Sequence, residues 1–276
     1  MNKKVLLFCL LVSITFVSFG QEKIKGNKNV TIIETELNPF NKIVVGEKFN
    51  ITLVKNLNAS IEIETDENLH DVIHFQVEDN TLTLKTTSRI TSKKKLNITV
   101  KYADALDYIE TKENGQLNTI STIESDSLII KTFGNSKASL NLKTRKFKLI
   151  NDGKSKLELN IESDFVDLEL NANSKIEALI TTDSLNVNLY ESAVARIDGD
   201  TDYLNVNAIN SSNFKGKDLT SKTCDLIAED NSGAIVNVYE TITIEASSKS
   251  NVTLYNNPEI TLPKFTGSAV LRKKEL

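Results

Sequence analysis

Two short stretches of this 276-residue chain carry metal-ligating residue types at a meaningful spacing. In His70-Asp71-Val72-Ile73-His74 two imidazoles stand four residues apart, the separation that brings both onto one helix face in zinc peptidases, where an intervening acid acts as base. The details fit that chemistry poorly. Asp71 stands where it uses the longer Glu, and His70 and His74 are the only histidines, so a third ligand would have to be a carboxylate. A single helical turn, capped by Asp66-Glu67-Asn68 and anchored by Val72 and Ile73, accounts for the segment instead. Asp198-Gly199-Asp200-Thr201-Asp202 sets carboxylates at alternate positions, which suits a hard ion such as Ca²⁺ with its several oxygen ligands. An EF-hand needs Gly at its sixth position and Glu at its twelfth, where Tyr203 and Ile209 stand. The stretch reads as a turn at a coil corner, with Asp198, Asp200 and Asp202 kept as candidates for a weak ion site. The sequence has no Gly-rich phosphate loop, Ser/His/Asp arrangement or paired Cys/His cluster. No catalytic, cofactor-binding or metal residue is therefore assigned, and no cofactor is expected.

What must position any site is an internal repeat of about 19 residues. Apolar residues recur at Ile130, Leu149, Leu168, Val187, Val206, Leu226 and Ile244. A second series runs two positions earlier through Leu128, Phe147, Val166, Leu185, Leu204, Cys224 and Ile242, and a third two positions later through Thr132, Asn151, Leu170, Leu189, Ala208, Ala228 and Ala246. A period of two within each repeat is a strand with alternate side chains facing one way. Each strand is followed by a small residue, at Gly115, Ser136, Ser155, Ser174, Ser192, Ser212, Ser232 and Ser250, which marks a corner; Asn114, Asn135, Asn173 and Asn231 precede four of them and suit left-handed turns. A second apolar segment follows each corner, as in Leu140 with Leu142, Leu157 with Leu159, Val236 with Val238, and Val252 with Leu254. So short a repeat has no room for a crossover helix. The reading is an all-β parallel β-helix, or β-solenoid, whose coils stack at about 4.8 Å. Asp167, Asn186, Asn205 and Asp225 then line a polar outer face, and Cys224 is a buried, inert thiol.

Residues 1–20 read as a secretory signal, with Lys3 and Lys4 before an apolar run and Ser18 and Gly20 ahead of Gln21. No later segment is long and apolar enough for a transmembrane helix. With Cys9 inside the leader, the mature chain keeps only Cys224 and relies on burial and hydrogen bonding rather than intrachain disulfides. Formal net charge is −4, or −6 without Lys3 and Lys4, which gives no electrostatic case for nucleic acid. Lys93-Lys94-Lys95 and Arg272-Lys273-Lys274 read as solvated strand ends, since neither has interleaved aromatics. The low aromatic content and the absence of Trp argue against a broad sugar-stacking platform, leaving Tyr108, Tyr190, Tyr203, Tyr239 and Tyr255 as possible contributors.

Along the chain, 21–36 is a lead-in segment with one apolar patch at Val30, Ile32 and Ile33, and Asn38-Pro39 turns it into 37–103, a partly antiparallel β region that caps the solenoid. There Glu78-Asp79-Asn80 joins two strands as a hairpin turn. The β-helix repeats occupy 104–257. In 258–276, Pro258 and Pro263 break the pattern before a short strand from Ala269 to Leu271 and a polar tail.

Several pieces in this order resemble a known family. They are Phe40-Asn41-Lys42-Ile43-Val44-Val45-Gly46, Phe49-Asn50-Ile51-Thr52-Leu53, Asp66-Glu67-Asn68-Leu69 and Asn80-Thr81-Leu82, followed by the strand-turn units. Together they are similar to the auto-transporter adhesin "head GIN domain" proteins of Bacteroidetes-type bacteria. Family members often carry Gly-Ser-Gly-Asp turns, where this chain has Asn114-Gly115 and Gly134-Asn135-Ser136. The resemblance implies an exported bacterial β-helical domain, periplasmic, cell-surface or secreted. The expected function is non-catalytic recognition or structural support through contacts with a glycan or an envelope protein. The competing expectations are a polysaccharide-active lyase or glycosidase, whose acidic and basic groups would be gathered from different coils, and an envelope signalling protein that binds a partner.

Overall fold

The computed structural model describes residues 22–275; the expected leader and Cys9 lie outside the described residues. The chain forms a β-solenoid of about 9 turns with ~19-residue coils and a mixed N-terminal sheet region. Its regular body consists of β13 to β18, and for reference the strands before it in chain order are β1 (Lys23–Lys25), β2 (Val30–Glu36), β3 (Lys42–Val45), β4 (Asn50–Lys55), β5 (Ser60–Asp66), β6 (Ile73–Glu78), β7 (Thr81–Thr86), β8 (Arg89–Ser92), β9 (Leu96–Tyr102), β10 (Tyr108–Thr111), β11 (Gln116–Thr119) and β12 (Ile123–Thr132). The body strands are β13 (Lys137–Asn151), β14 (Lys156–Leu170), β15 (Lys175–Leu189), β16 (Val194–Ala208), β17 (Asn213–Ala228) and β18 (Gly233–Ala246), followed by β19 (Asn251–Tyr255), β20 (Glu259–Phe265) and β21 (Val270–Lys274).

Each body strand pairs in parallel with the next, so that Leu149, Leu168, Val187, Val206, Leu226 and Ile244 stack directly on one another, all at most 1% exposed. All three repeated columns face the core, the third beginning in polar Thr132 and Asn151, where Thr132 Oγ1 donates to Asn151 Oδ1 at 2.7 Å. Each coil is one long strand bent once. Alternation holds along it until two consecutive side chains both point outward, as Arg145 and Lys146, Asp164 and Phe165, and Asp202 and Tyr203 do, and this reversal makes the second corner.

At the first corner the small residues play a different part from the one their turn propensity implies. Ser136, Ser155, Ser174, Ser212, Ser232 and Ser250 point inward and are buried, with Ala193 rather than Ser192 completing the column; Ser192 is exposed. The left-handed residue comes two positions earlier, at Glu113, Gly134, Gly153, Ala172, Glu191, Asn210, Asp230 and Ser248, and not at the preceding Asn. Corner backbone also bonds from coil to coil, for instance Asn173 N–H to Gly153 O and Ser192 N–H to Ala172 O, both at 2.9 Å. Stacked bonding forces every corner into one conformation, so Ala172 and Glu191 adopt positive φ despite the steric cost of about 1–2 kcal/mol.

At the N-terminal end, chain order and coil order differ. β3 and β4 lie between β10 and β11 on one side and β7 and β9 on the other, so a later segment forms the outer coil. β5 then adds antiparallel to β9, and β2 antiparallel to β5. The hairpin between β6 and β7 turns through Asp79 (φ 48°) and Asn80 (φ 57°), the paired left-handed geometry of a tight two-residue turn. Asp66 makes no side-chain bond to cap the following 3₁₀ turn, Glu67–Val72. Its carboxylate instead accepts backbone N–H bonds from Lys28 (3.0 Å), Lys94 (3.0 Å) and Lys95 (3.3 Å), tying the lead-in segment and the Lys93-Lys94-Lys95 loop together. Burial disfavours its charge, but these three donors prevail and hold the carboxyl below its usual range.

The coil pattern does not stop at Pro258. β20 pairs with β18 and β21 with β19, adding a further coil. Pro263 falls where the register slips between Thr243↔Thr261 and Glu245↔Lys264, a bulge that absorbs its missing donor. The last strand spans Val270–Lys274, longer and more basic than the expected Ala269 to Leu271.

Candidate functional site

The segments singled out for metal chemistry are placed apart by the fold. His70 lies in the 3₁₀ turn and His74 in β6, so no shared helix face forms; His70 Nε2 is 3.0 Å from Thr31 Oγ1, and Leu69 and Ile73, rather than Val72, are the buried anchors. Asp198, Asp200 and Asp202 lie within β16, leading into its second corner at Asp202 and Tyr203 rather than in a loop. Asp198 lines one groove, with Glu158 and Glu177, whereas Asp200 and Asp202 line another, with Asp164 and Asp183, so the three do not face one ion. Their neighbours also differ: Asp202 pairs with Lys222 at 2.6 Å, Asp200 lies 3.5 Å from Thr181 Oγ1, and Asp198 lies 4.0 Å from Arg196 Nε. No group of three or more His, Cys, Asp or Glu poised to hold a metal occurs among the described residues. Cys224 is 2% exposed, and burial pushes its thiol pKa well up.

The arrangement with most capacity for recognition is the outward surface that begins at the second corner and runs across β14 to β17. Its first column is Phe165, Ser184, Tyr203 and Thr223 in successive coils. Phe165 is 51% and Tyr203 39% exposed, and with one coil between them their backbones stand about 10 Å apart, twice the strand spacing, over the short Ser184. The second column is Lys148, Asp167, Asn186, Asn205 and Asp225, and the third contains Glu169, Asn188 and Asn207.

Side-chain bonds fix this surface across the coils. Asp167 accepts from Lys148 Nζ at 2.7 Å through one oxygen and from Asn186 Nδ2 at 2.9 Å through the other. The Asp167 bond raises the Lys148 pKa. Tyr203 donates to Asp225 Oδ2 at 2.6 Å. Amides held at strand spacing beside two exposed rings can hydrogen-bond hydroxyls and stack against apolar ring faces at once. The polar column was legible in the sequence; Phe165 was not picked out, although it stands two residues before Asp167, where strand periodicity puts it on the same side.

The opposite side of the bend carries a shallow groove of about 370 Å³, lined by Ser139, Asn141, Glu158, Asn160, Glu177 and Leu179 among others. Glu158 and Glu177 occupy one column in adjacent coils, followed by Arg196.

Comparison with known proteins follows the same lines. A crystal structure of a "putative adhesin" from Parabacteroides distasonis is similar over 92% of this chain and 100% of that one, with 18% identity and a TM-score of 0.64. One from Parabacteroides merdae, also described as a putative adhesin, matches over 92% and 99% at 16% identity and TM-score 0.63. A "putative lipid binding protein" from P. distasonis matches over 92% and 100% at 18% identity and TM-score 0.60. At these identities the likeness is one of fold. No curated protein matches the chain. The family profile described as "Putative auto-transporter adhesin, head GIN domain" matches residues 39–179 and 157–258, and the chain belongs to that family.

Proposed function

We propose that this chain is an exported, non-catalytic recognition protein of adhesin type, which holds a glycan against the surface formed by Phe165, Tyr203 and the adjoining Asn and Asp columns. The observation that carries the reading is the exposure of Phe165 and Tyr203 in one column, two coils apart, beside Asn186 and Asn205. Exposed rings beside polar columns suit the apolar faces of sugar rings, and the neighbouring amides, of which Asn186 is held by Asp167, suit their hydroxyls. Membership of the adhesin family and the expected leader support export to the envelope or cell surface.

The polysaccharide-active alternative has one specific observation in its favour, the Glu158–Glu177 column with Arg196 beyond it. Glycoside hydrolysis needs two carboxyl groups flanking the scissile bond. Glu158 and Glu177 project side by side from neighbouring strands, so a chain lying on the sheet meets both from one side and must lodge its scissile bond between them to be flanked. Incubation with envelope polysaccharides and peptides, with and without chelator, tests the two readings. Retention of intact glycan is expected. Turnover lost in Glu158→Gln and Glu177→Gln, with folding preserved, would replace the binding reading with the enzymatic one, and capture of an envelope protein without glycan would favour the protein-partner reading.

A further inference from the structure

The two ends of the solenoid match each other. Ile33 in β2 begins a column that passes through Ile63, Ile98, Ile51, Leu117 and Ala138, continues through every body strand and ends at Leu271 in β21. Two antiparallel steps, β9 to β5 and β5 to β2, leave β2 running in the same direction as β21. Among the described residues β2 registers only with β5, and β21 only with β19, so each has an edge with unpaired backbone groups. Apolar surface accompanies both ends: Ile32 is 61% and Ile33 48% exposed at one, and Ile260, Leu262 and Phe265 are 37%, 46% and 40% exposed at the other.

The geometry points to end-to-end association of this chain with further copies of itself, β21 of one copy adding as a parallel strand to β2 of the next. Continuing the existing register sets Val270 beside Ile32, Leu271 beside Ile33, Arg272 beside Glu34 and Lys274 beside Glu36. Opposite charges meet at two of the three polar positions, the third setting Lys273 beside Thr35, and apolar residues meet at the other two. Glu34 is already bonded to Lys101 at 2.7 Å, yet its side chain remains 49% exposed to a second cation. Like edges do not suit each other: a β21 pair, antiparallel by two-fold symmetry, would gather the basic Arg272, Lys273 and Lys274 of both copies along one edge, and a β2 pair would gather Glu34 and Glu36. The contact is therefore heterologous, and a head-to-tail contact of this kind extends into an open chain of copies unless its rotation closes a ring.

Sedimentation of the protein purified after export, over a range of concentrations and at low and high salt, tests this. Oligomers that grow beyond a dimer and shrink as salt screens the exposed pairs are expected. Glu36→Lys or Lys274→Glu alone should weaken association about tenfold, and the two combined in one chain should restore it. A monomer at every concentration, a species that stops at a dimer, or association indifferent to both substitutions would overturn the proposal. Ile32→Cys with Val270→Cys gives an independent reading. Cys224 is buried, so oxidation should yield a ladder of linked copies on a non-reducing gel, and a single unlinked band would contradict the pairing.

Discussion

Tyr203 donates its phenolic hydrogen to Asp225 across one coil boundary, at 2.6 Å. The bond requires the neutral phenol beside the carboxylate, and together with partial burial it pushes the Tyr203 pKa up to about 12 from 10.0. Tyr108 is also raised to about 12, first by burial and then by its bond to Glu110. A raised folded-state value favours the fold below the ordinary tyrosine range, and that contribution is lost as pH climbs from 10 through 12. Ultraviolet titration should therefore show a phenolate class ionising near 12. Tyr203→Phe should remove one phenol from that class; an unchanged high-pH amplitude would contradict the Tyr203–Asp225 bond.

The stacked core makes a blunt prediction. Leu168 and Val187 are fully buried in one column, with neighbours from both adjacent coils. Leu168→Asp or Val187→Asp places a charge where no partner or water reaches it, and either should abolish cooperative folding. Leu168→Ala should leave the fold intact and cost about 2–5 kcal/mol in denaturant unfolding. Melting of both Asp variants at the wild-type temperature would show the column to face outward.

Gly199 is required by its surroundings. Its φ is 120°, and a Cβ there would lie 2.1 Å from the Ile180 carbonyl oxygen. Ile180 pairs with it in the preceding coil, in a column to which Gly199 adds no side chain, and the ladder slips just before this point. Gly199→Ala should destabilise by more than the roughly 1–3 kcal/mol of a strained backbone alone, because the clash is with main chain. A thermal melt within experimental error of wild type would contradict this geometry.

The residues that set the fold were legible where their signal repeated. Column positions such as Leu149, Leu168 and Val187 recur with a nearly constant spacing and leave one stacking solution. The corners were less legible, because coil-to-coil bonding rather than local preference chooses the left-handed residue; Ala172 and Glu191 would not be picked for positive φ by type. Asp66 looked like a helix cap because its true partners, the backbone of Lys28, Lys94 and Lys95, are distant in sequence. Asp198, Asp200 and Asp202 looked convergent, but Asp198 faces a different groove from Asp200 and Asp202. Phe165 belongs to the most informative surface, and the pairing of β14 with β15, and of β15 with β16, sets Ser184 and Tyr203 in its column.

The central claim is that Phe165 and Tyr203 hold a glycan. Calorimetric titration of the exported protein with a polysaccharide found to bind it, repeated for Phe165→Ala, Tyr203→Ala and the remote control Leu57→Ala, tests it most directly. Each aromatic truncation should weaken binding at least about tenfold, roughly 1.4 kcal/mol, with cooperative folding retained, while removal of the exposed Leu57 should leave the affinity as it was. Wild-type affinity in both aromatic variants would contradict the account.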